Sequence, residues 1–235
     1  RISPDGRIVQ RITGGTSGFD RPFALTVLPD GSMFVSEFQA NRIAMLSASG
    51  SITGYIQGGT GIERLAGPQF ICSDPDGFVY VSDVGFARVV KYKSDGTFVS
   101  AFGQSSPAFA GLKLPTGIAW HRGMLYVADA ALKGIVVFDA YGNYAGTVAM
   151  GRLGRPEGIR STTRGLLLAD TYRVVLVDTE SEAITELYRV EDKASRLVSA
   201  GFDANGDILA ADFDLSSLNY LADPSVRYAG LSVDV

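Results

Sequence analysis

Pro115-Thr116-Gly117-Ile118-Ala119, the turn pair Arg122-Gly123, and Tyr126-Val127-Ala128-Asp129 form the stretch whose reading decides the fold. An apolar strand enters behind a proline, a glycine turn reverses it, and a second strand of β-branched and aromatic residues ends in a small residue and an acid. Such a unit is a β-hairpin with its register written into the sequence. Working outward, the same pattern returns. Pro22-Phe23-Ala24-Leu25 leads through Asp30-Gly31 to Phe34-Val35-Ser36-Glu37. Pro68-Gln69-Phe70-Ile71 leads through Asp76-Gly77 to Tyr80-Val81-Ser82-Asp83, and Pro156-Glu157-Gly158-Ile159 through Arg164-Gly165 to Leu167-Leu168-Ala169-Asp170. A weaker fifth copy runs from Leu197-Val198-Ser199-Ala200 through Asn205-Gly206 to Leu209-Ala210-Ala211-Asp212.

The closing acids stand at 37, 83, 129, 170 and 212, spaced by 46, 46, 41 and 42 residues. That period holds four short strands and their turns. Arg42-Ile43-Ala44-Met45-Leu46, Arg88-Val89-Val90-Lys91-Tyr92 and Ile135-Val136-Val137-Phe138 read as third strands, each leading to a glycine turn at Gly50, Gly96 or Gly142. A lone meander leaves both faces wet, whereas meanders stacked around an axis bury each sheet against the next. The expected fold is therefore all-β, a β-propeller of four-stranded blades, with the first strand of each copy innermost and Gly117 and Gly158 easing the convergence of chains there.

Six blades are favoured and five are the alternative. The segment from Arg1 to Gly14 matches third and fourth strands, because Ser3-Pro4-Asp5-Gly6-Arg7-Ile8-Val9 resembles Lys93-Ser94-Asp95-Gly96-Thr97-Phe98-Val99. Tyr228-Ala229-Gly230-Leu231-Ser232-Val233 echoes a first strand, so both chain ends would close a sixth blade. Residues 1–235 then form a single propeller domain, with 225–235 as the alternative start of a following domain. Ile184, Leu187 and Tyr188 also fit a helical face, but the repeat places a fourth strand at Ala183 to Leu187, and repeat position outweighs a short window.

At these residues the chain resembles the NHL-repeat family, whose repeat reads approximately Pro-x-Gly-Ile-Ala, an Asp-Gly turn, Tyr-Val-Ala-Asp, then Arg-Val and an apolar strand. Asp83 with Arg88 and Asp129 with Lys133 match the acid and following base, Glu37 with Arg42 departs conservatively, and no base follows Asp212. The resemblance implies a bacterial-type scaffold that binds protein or RNA. Related six-bladed propellers include amidating lyases, lactonases and other metal-dependent enzymes. Arg227-Tyr228-Ala229-Gly230-Leu231 also resembles the exit of bacterial propellers that precede a von Willebrand factor A type domain, which would make neighbouring domains of a longer parent chain partners too.

Composition narrows the function. With 46% hydrophobic and 20% charged residues the chain is globular, and its net charge of −4 lacks the positive block that a phosphate backbone requires, so nucleic acid is not an expected partner. No apolar run reaches the length of a membrane span. Cys72, alone in Phe70-Ile71-Cys72, is expected in the core and forms no internal disulfide. The compartment stays open, with the bacterial periplasm or exterior placed ahead of the cytoplasm.

Catalytic sets are thin. The repeated acids are expected to cap turn amides and pair with Arg42, Arg88, Lys133 or Arg173, because a functional site needs different residues from different blades. His121 is the only histidine, which excludes a histidine cluster for zinc, and it is expected to be an ordinary loop or turn residue. Asp203-Ala204-Asn205-Gly206-Asp207 opens like a calcium loop, yet Ile208 stands where glycine is needed, so a hairpin turn is expected. Glu157 is the one clear acid on the inner strands, the corresponding positions being Phe23, Gln69, Thr116 and Arg196. No nucleophile elbow or phosphate loop is present, and no cofactor or metal is expected.

What remains is the set of connections from one blade into the next, where loops on a rigid scaffold usually carry binding. Phe19, Arg21, Arg64, Gln69, Lys113, Arg155, Glu157 and Arg196 lie there, a mixture of aromatic, arginine and acid suited to a protein, peptide or glycan ligand. The expected function is a non-catalytic binding scaffold. The alternative is a lactonase-like, metal-dependent hydrolase or lyase working in the central channel through Glu157 and His121.

Overall fold

A computed structural model describes residues 7–191, 196–202, 206–212 and 217–221. The chain divides into two compact units, residues 1–111 and 112–235. In the first unit, β1 (Pro22–Val27), β2 (Met33–Glu37), β3 (Arg42–Leu46) and β4 (Ile52–Ile56) form one antiparallel sheet. A second sheet follows with β5 (Pro68–Ser73), β6 (Val79–Asp83), β7 (Arg88–Tyr92) and β8 (Phe98–Phe102). The second unit holds β9 (Pro115–His121), β10 (Met124–Asp129), β11 (Gly134–Phe138) and β12 (Tyr144–Val148), then β13 (Pro156–Thr162), β14 (Gly165–Asp170), β15 (Arg173–Val177) and β16 (Ile184–Arg189). A three-stranded sheet, β17 (Leu197–Phe202), β18 (Ile208–Asp212) and β19 (Ser217–Leu221), ends the described chain. Every sheet is an up-and-down meander with consecutive strands paired.

The blades thus have the expected four strands in four copies and three in the fifth among the described residues. The echo at Tyr228 to Val233 lies outside them, as does Arg1 to Gly6. Among residues 7–14, Ile8 makes a β-bridge and no strand is assigned. Ile8 and Val9 are exposed, while Ile12 and Phe19 pack against Met33, Val35, Ala44 and Leu46 of the first sheet. The register reading of the ambiguous segment holds, since Ile184–Arg189 is a strand; Tyr188 falls opposite Val174.

Side-chain alternation explains the stacking within each unit. On β14, Leu166 and Leu168 pack against Ala119, Tyr126 and Ile135 of the third sheet, while the intervening Leu167 and Ala169 pack against Leu197, Ala200 and Ile208 of the fifth. All six residues of β14 are buried, as a strand covered on both faces requires. Phe34 and Ile43 meet Ile71, Val79 and Tyr92 in the same way between the first two sheets. Hairpin turns are locally encoded: the Asp139 carboxylate accepts the amides of Tyr141 and Asn143, and Gly142 takes the positive φ that closes the turn. Cys72 is half buried instead of in the core, since on its strand only Pro68 and Ile71 are buried.

The first strand of every sheet shifts register just inside its entry, between Pro22 and Leu25, Pro68 and Ile71, Pro156 and Ile159, Leu197 and Ser199, and opposite Val127 and Asp129 in the third. These bulges re-aim the residues behind the entry position. They also correct one alignment. Leu197 faces Asp212 as Pro156 faces Asp170, so the residue equivalent to Glu157 is Val198. Arg196 is equivalent to Arg155 and Arg21, one position earlier than its sequence alignment, because leucine replaces the proline that marks the other copies.

Candidate functional site

The closing acids sit at the base of the candidate loops, fully buried. Glu37 accepts the Asp20 amide at 2.6 Å, and Asp83 the Ala66 amide at 2.7 Å. Asp129 accepts the amides of Lys113 at 2.7 Å and Leu114 at 3.1 Å, together with those of Ala131 and Leu132, both at 3.0 Å. Asp170 receives Gly154 at 2.9 Å and Arg155 at 2.8 Å, and Asp212 receives Arg196 at 3.2 Å. Each acid therefore ties the loop entering a blade to the end of that blade's second strand. This satisfies backbone donors that would otherwise be buried unpaired. Burial pushes the Asp83 carboxyl up, opposed by the Ala66 amide and the Arg88 guanidinium.

The base follows in three blades. Arg42, Arg88 and Arg173 lie directly opposite Glu37, Asp83 and Asp170 in the second-to-third strand register and bind them at 2.6, 2.8 and 2.8 Å. The expected Asp129 to Lys133 pair does not form. Gly134 occupies the register position, where an added Cβ would meet the Met150 Cα at 2.7 Å, and Lys133 is displaced into the turn with φ 55°. Asp129 draws four backbone amides in its place.

The candidate residues fall into two groups, one in each unit. In the first, Arg21 is exposed at a positive φ, Phe19 is half buried on the first sheet, and Gln69 is half buried with its carbonyl accepting the Ser36 hydroxyl. Arg64 is exposed beside Phe86, its carbonyl bound by Arg88. In the second, Lys113 and Arg155 are exposed and Arg196 is half buried. Glu157 is buried and accepts Arg155 Nε at 2.9 Å. Its carboxyl is held above the usual range by burial, which outweighs the stabilising charges of Arg155 and Arg196.

Sequence reasoning missed the other half of this cluster. A hollow of about 450 Å³ opens beside Arg155, lined by Gly154, Asp170, Thr171, Tyr172, Arg173 and Arg189. Tyr172 stands two residues after the acid of its blade, and Arg189 ends the fourth strand opposite Arg173. Glu186 bridges the two guanidinium groups, accepting Arg189 Nε at 2.7 Å and lying 3.6 Å from Arg173. The one available signal was the repeat register, which places the second residue after each acid and the end of each fourth strand beside the same loop.

His121 is not a turn residue. It ends β9, is buried, and shares a 2.8 Å hydrogen bond with Ser161 of the adjacent β13. The ring also meets Tyr126 edge to face at 5.7 Å. Glu157 lies at the opposite end of β13, four residues from Ser161, which is roughly 13 Å along a strand. The two residues named for a channel site therefore do not share one ion. No three His, Cys, Asp or Glu side chains converge as a metal site among the described residues. Asp203, Ala204 and Asn205 of the calcium-like loop lie outside the described residues. No helix among the described residues is long and apolar enough to cross a membrane.

No family model matches the chain, and no curated protein sequence does. Solved structures do. Virginiamycin B lyase from Staphylococcus aureus is 17% identical, with a TM-score of 0.69 over 98% of this chain and 74% of that one. A catalytically inactive histidine-to-alanine variant of the lyase from the same organism, solved with quinupristin, is 17% identical, with a TM-score of 0.68 over 94% of this chain and 75% of that one. A chain of a nidogen/laminin complex is 18% identical, with a TM-score of 0.63 over 88% of this chain and 81% of that one. At these identities the likeness shows the fold, which is a β-propeller.

Proposed function

We propose that this chain is a non-catalytic, NHL-type propeller module that binds a protein, peptide or glycan through the loops entering its blades. One observation carries the reading. The carboxylates that recur at these loops are buried and committed to backbone amides, whereas Arg21, Arg64, Lys113 and Arg155 on the same loops keep exposed cationic side chains. Acids spent on architecture leave, in each unit, loops whose remaining chemistry is recognition by guanidinium and aromatic groups. Such loops suit partners rich in acceptors. The nidogen/laminin likeness supports the reading as an analogy of fold.

The competing reading is a metal-dependent hydrolase or lyase, which the virginiamycin B lyase likeness keeps in view. A display selection on peptide libraries and glycan arrays separates the two, run beside calcium and zinc titrations. Ligands recovered on the native protein should lose at least tenfold in affinity for a variant carrying Arg21→Ala, Arg64→Ala, Lys113→Ala and Arg155→Ala, with its melting temperature preserved. Ligands indifferent to those substitutions would sink the proposed role of these loops. A stoichiometric ion that leaves on Glu157→Gln would favour the enzyme.

A further inference from the structure

The hollow of the fourth blade is built beside Arg155, a residue held at its amide, its carbonyl and its guanidinium Nε. The Arg155 amide donates to Asp170, its carbonyl accepts the Thr171 amide at 3.2 Å, and its Nε donates to buried Glu157. The two terminal nitrogens, Nη1 and Nη2, have no partner among the described residues, and the side chain is 49% exposed. A guanidinium gripped at Nε presents its Nη edge as a fork, the geometry that binds a planar carboxylate through two parallel hydrogen bonds. Because main chain and side chain are already fixed, little ordering remains to oppose binding. Tyr172, 39% exposed, and Arg189, with its Nη1 likewise unpartnered among the described residues, line the same hollow.

Glu186 pairs with two of the arginines that line the hollow. It is gripped by Arg189 through two hydrogen bonds, at 2.7 and 2.5 Å, and lies within ion-pair reach of Arg173. A carboxylate of the chain itself thus satisfies one edge of a lining arginine, Arg189, while the Arg155 edge is left for another. We propose that this hollow receives a carboxylate from a partner peptide, an Asp or Glu side chain clamped by Arg155 and flanked by Tyr172 and Arg189. The assignment rests on the binding-module reading and gives it a ligand chemistry.

Fluorescein-labelled hexaglutamate, titrated by fluorescence polarisation into the intact chain, tests it, with hexaglutamine as the neutral control. Saturable binding that weakens with salt is expected. Arg155→Gln should weaken it by roughly tenfold, and Arg155→Lys by nearly as much, since lysine keeps the charge and loses the fork. Glu186→Gln should tighten it by removing the internal competitor. Arg122→Ala, which removes an exposed arginine paired with Glu180 away from the hollow, should leave it unchanged. Equal binding by wild type and Arg155→Gln overturns the proposal. So does inorganic phosphate that displaces the peptide as well as free glutamate does, which would make the hollow a general anion site. If hexaglutamate fails while display ligands still depend on Arg21, Arg64, Lys113 and Arg155, the carboxylate chemistry falls and the binding module stands.

Discussion

Gly117→Ala tests the packing of adjacent inner strands directly. A Cβ built on Gly117 would stand 2.1 Å from the Glu157 carbonyl oxygen and 2.6 Å from the Ile159 nitrogen. Ordinary contact begins near 3.4 Å, so β9 and β13 would have to separate by about 1.3 Å. Both obstructing atoms belong to backbone, and no side-chain rotation relieves them. Overpacking a core typically costs 1–3 kcal/mol, and a backbone clash belongs at the top of that range, about 3 kcal/mol. For a chain of this size that lowers the melting temperature by roughly 6–12 °C. Thermal unfolding followed by circular dichroism or calorimetry measures it against two controls. At Gly201 the new methyl meets only the Arg160 side chain at 3.6 Å, and stability should stay within about 0.5 kcal/mol. At Gly123 nothing lies within 4 Å but φ is +81°, so the cost is conformational, about 1 kcal/mol. If Gly117→Ala melts no lower than Gly123→Ala, the close approach of these strands is refuted.

Asp129→Asn replaces an acceptor of four amides by a group with one acceptor oxygen and a competing NH2; it should cost about 2–3 kcal/mol and speed hydrogen exchange at the Leu114 and Leu132 amides. Tyr92→Phe should raise stability by about 1 kcal/mol, read as a higher urea midpoint, because the buried hydroxyl has no hydrogen-bond partner among the described residues. Glu157→Gln should show a pH-dependent gain. The folded carboxyl titrates above its ordinary value of 4.5, so its ionisation opposes folding as pH rises through the folded value and has no effect below 4.5. Melting temperatures of variant and wild type should therefore converge near pH 4 and separate in the variant's favour near pH 7; the reverse order would refute the burial argument.

The fold was legible because its instructions are local and repeated. Asp30-Gly31, Asp95-Gly96 and Asp139 with Gly142 encode turns within a few residues, and the acid ending each second strand reaches a loop whose sequence distance is nearly constant. Even the helical ambiguity at Ile184 yielded to the period. What escaped depends on contacts between blades or on a single exchanged residue. Lys133 misses Asp129 because Met150 crowds the register position at Gly134, and neither contact is visible in the motif. Arg196 was aligned one place late because Leu197 stands where proline marks the other copies. His121 looked like a turn residue beside Arg122-Gly123, but its partner Ser161 comes from the next blade, 40 residues away. Arg155 and Glu157 were found by their place on an entering loop, whereas Tyr172 and Arg189 join them only through strand pairing.

The same device that fixes the fold also shapes what the surface can do. A carboxylate buried at the end of a second strand is stable only when charge-assisted donors surround it, and here the donors are the amides of the entering loop and, in three blades, an arginine. That use ties the entering loop to the second strand and occupies the acid's oxygens with donors of the chain itself. In the fourth blade the consequence goes further, because Asp170 holds the Arg155 amide while Glu157 holds its Nε. Two architectural acids thereby position one cation, and the fork left over is the part of this blade that a ligand can use.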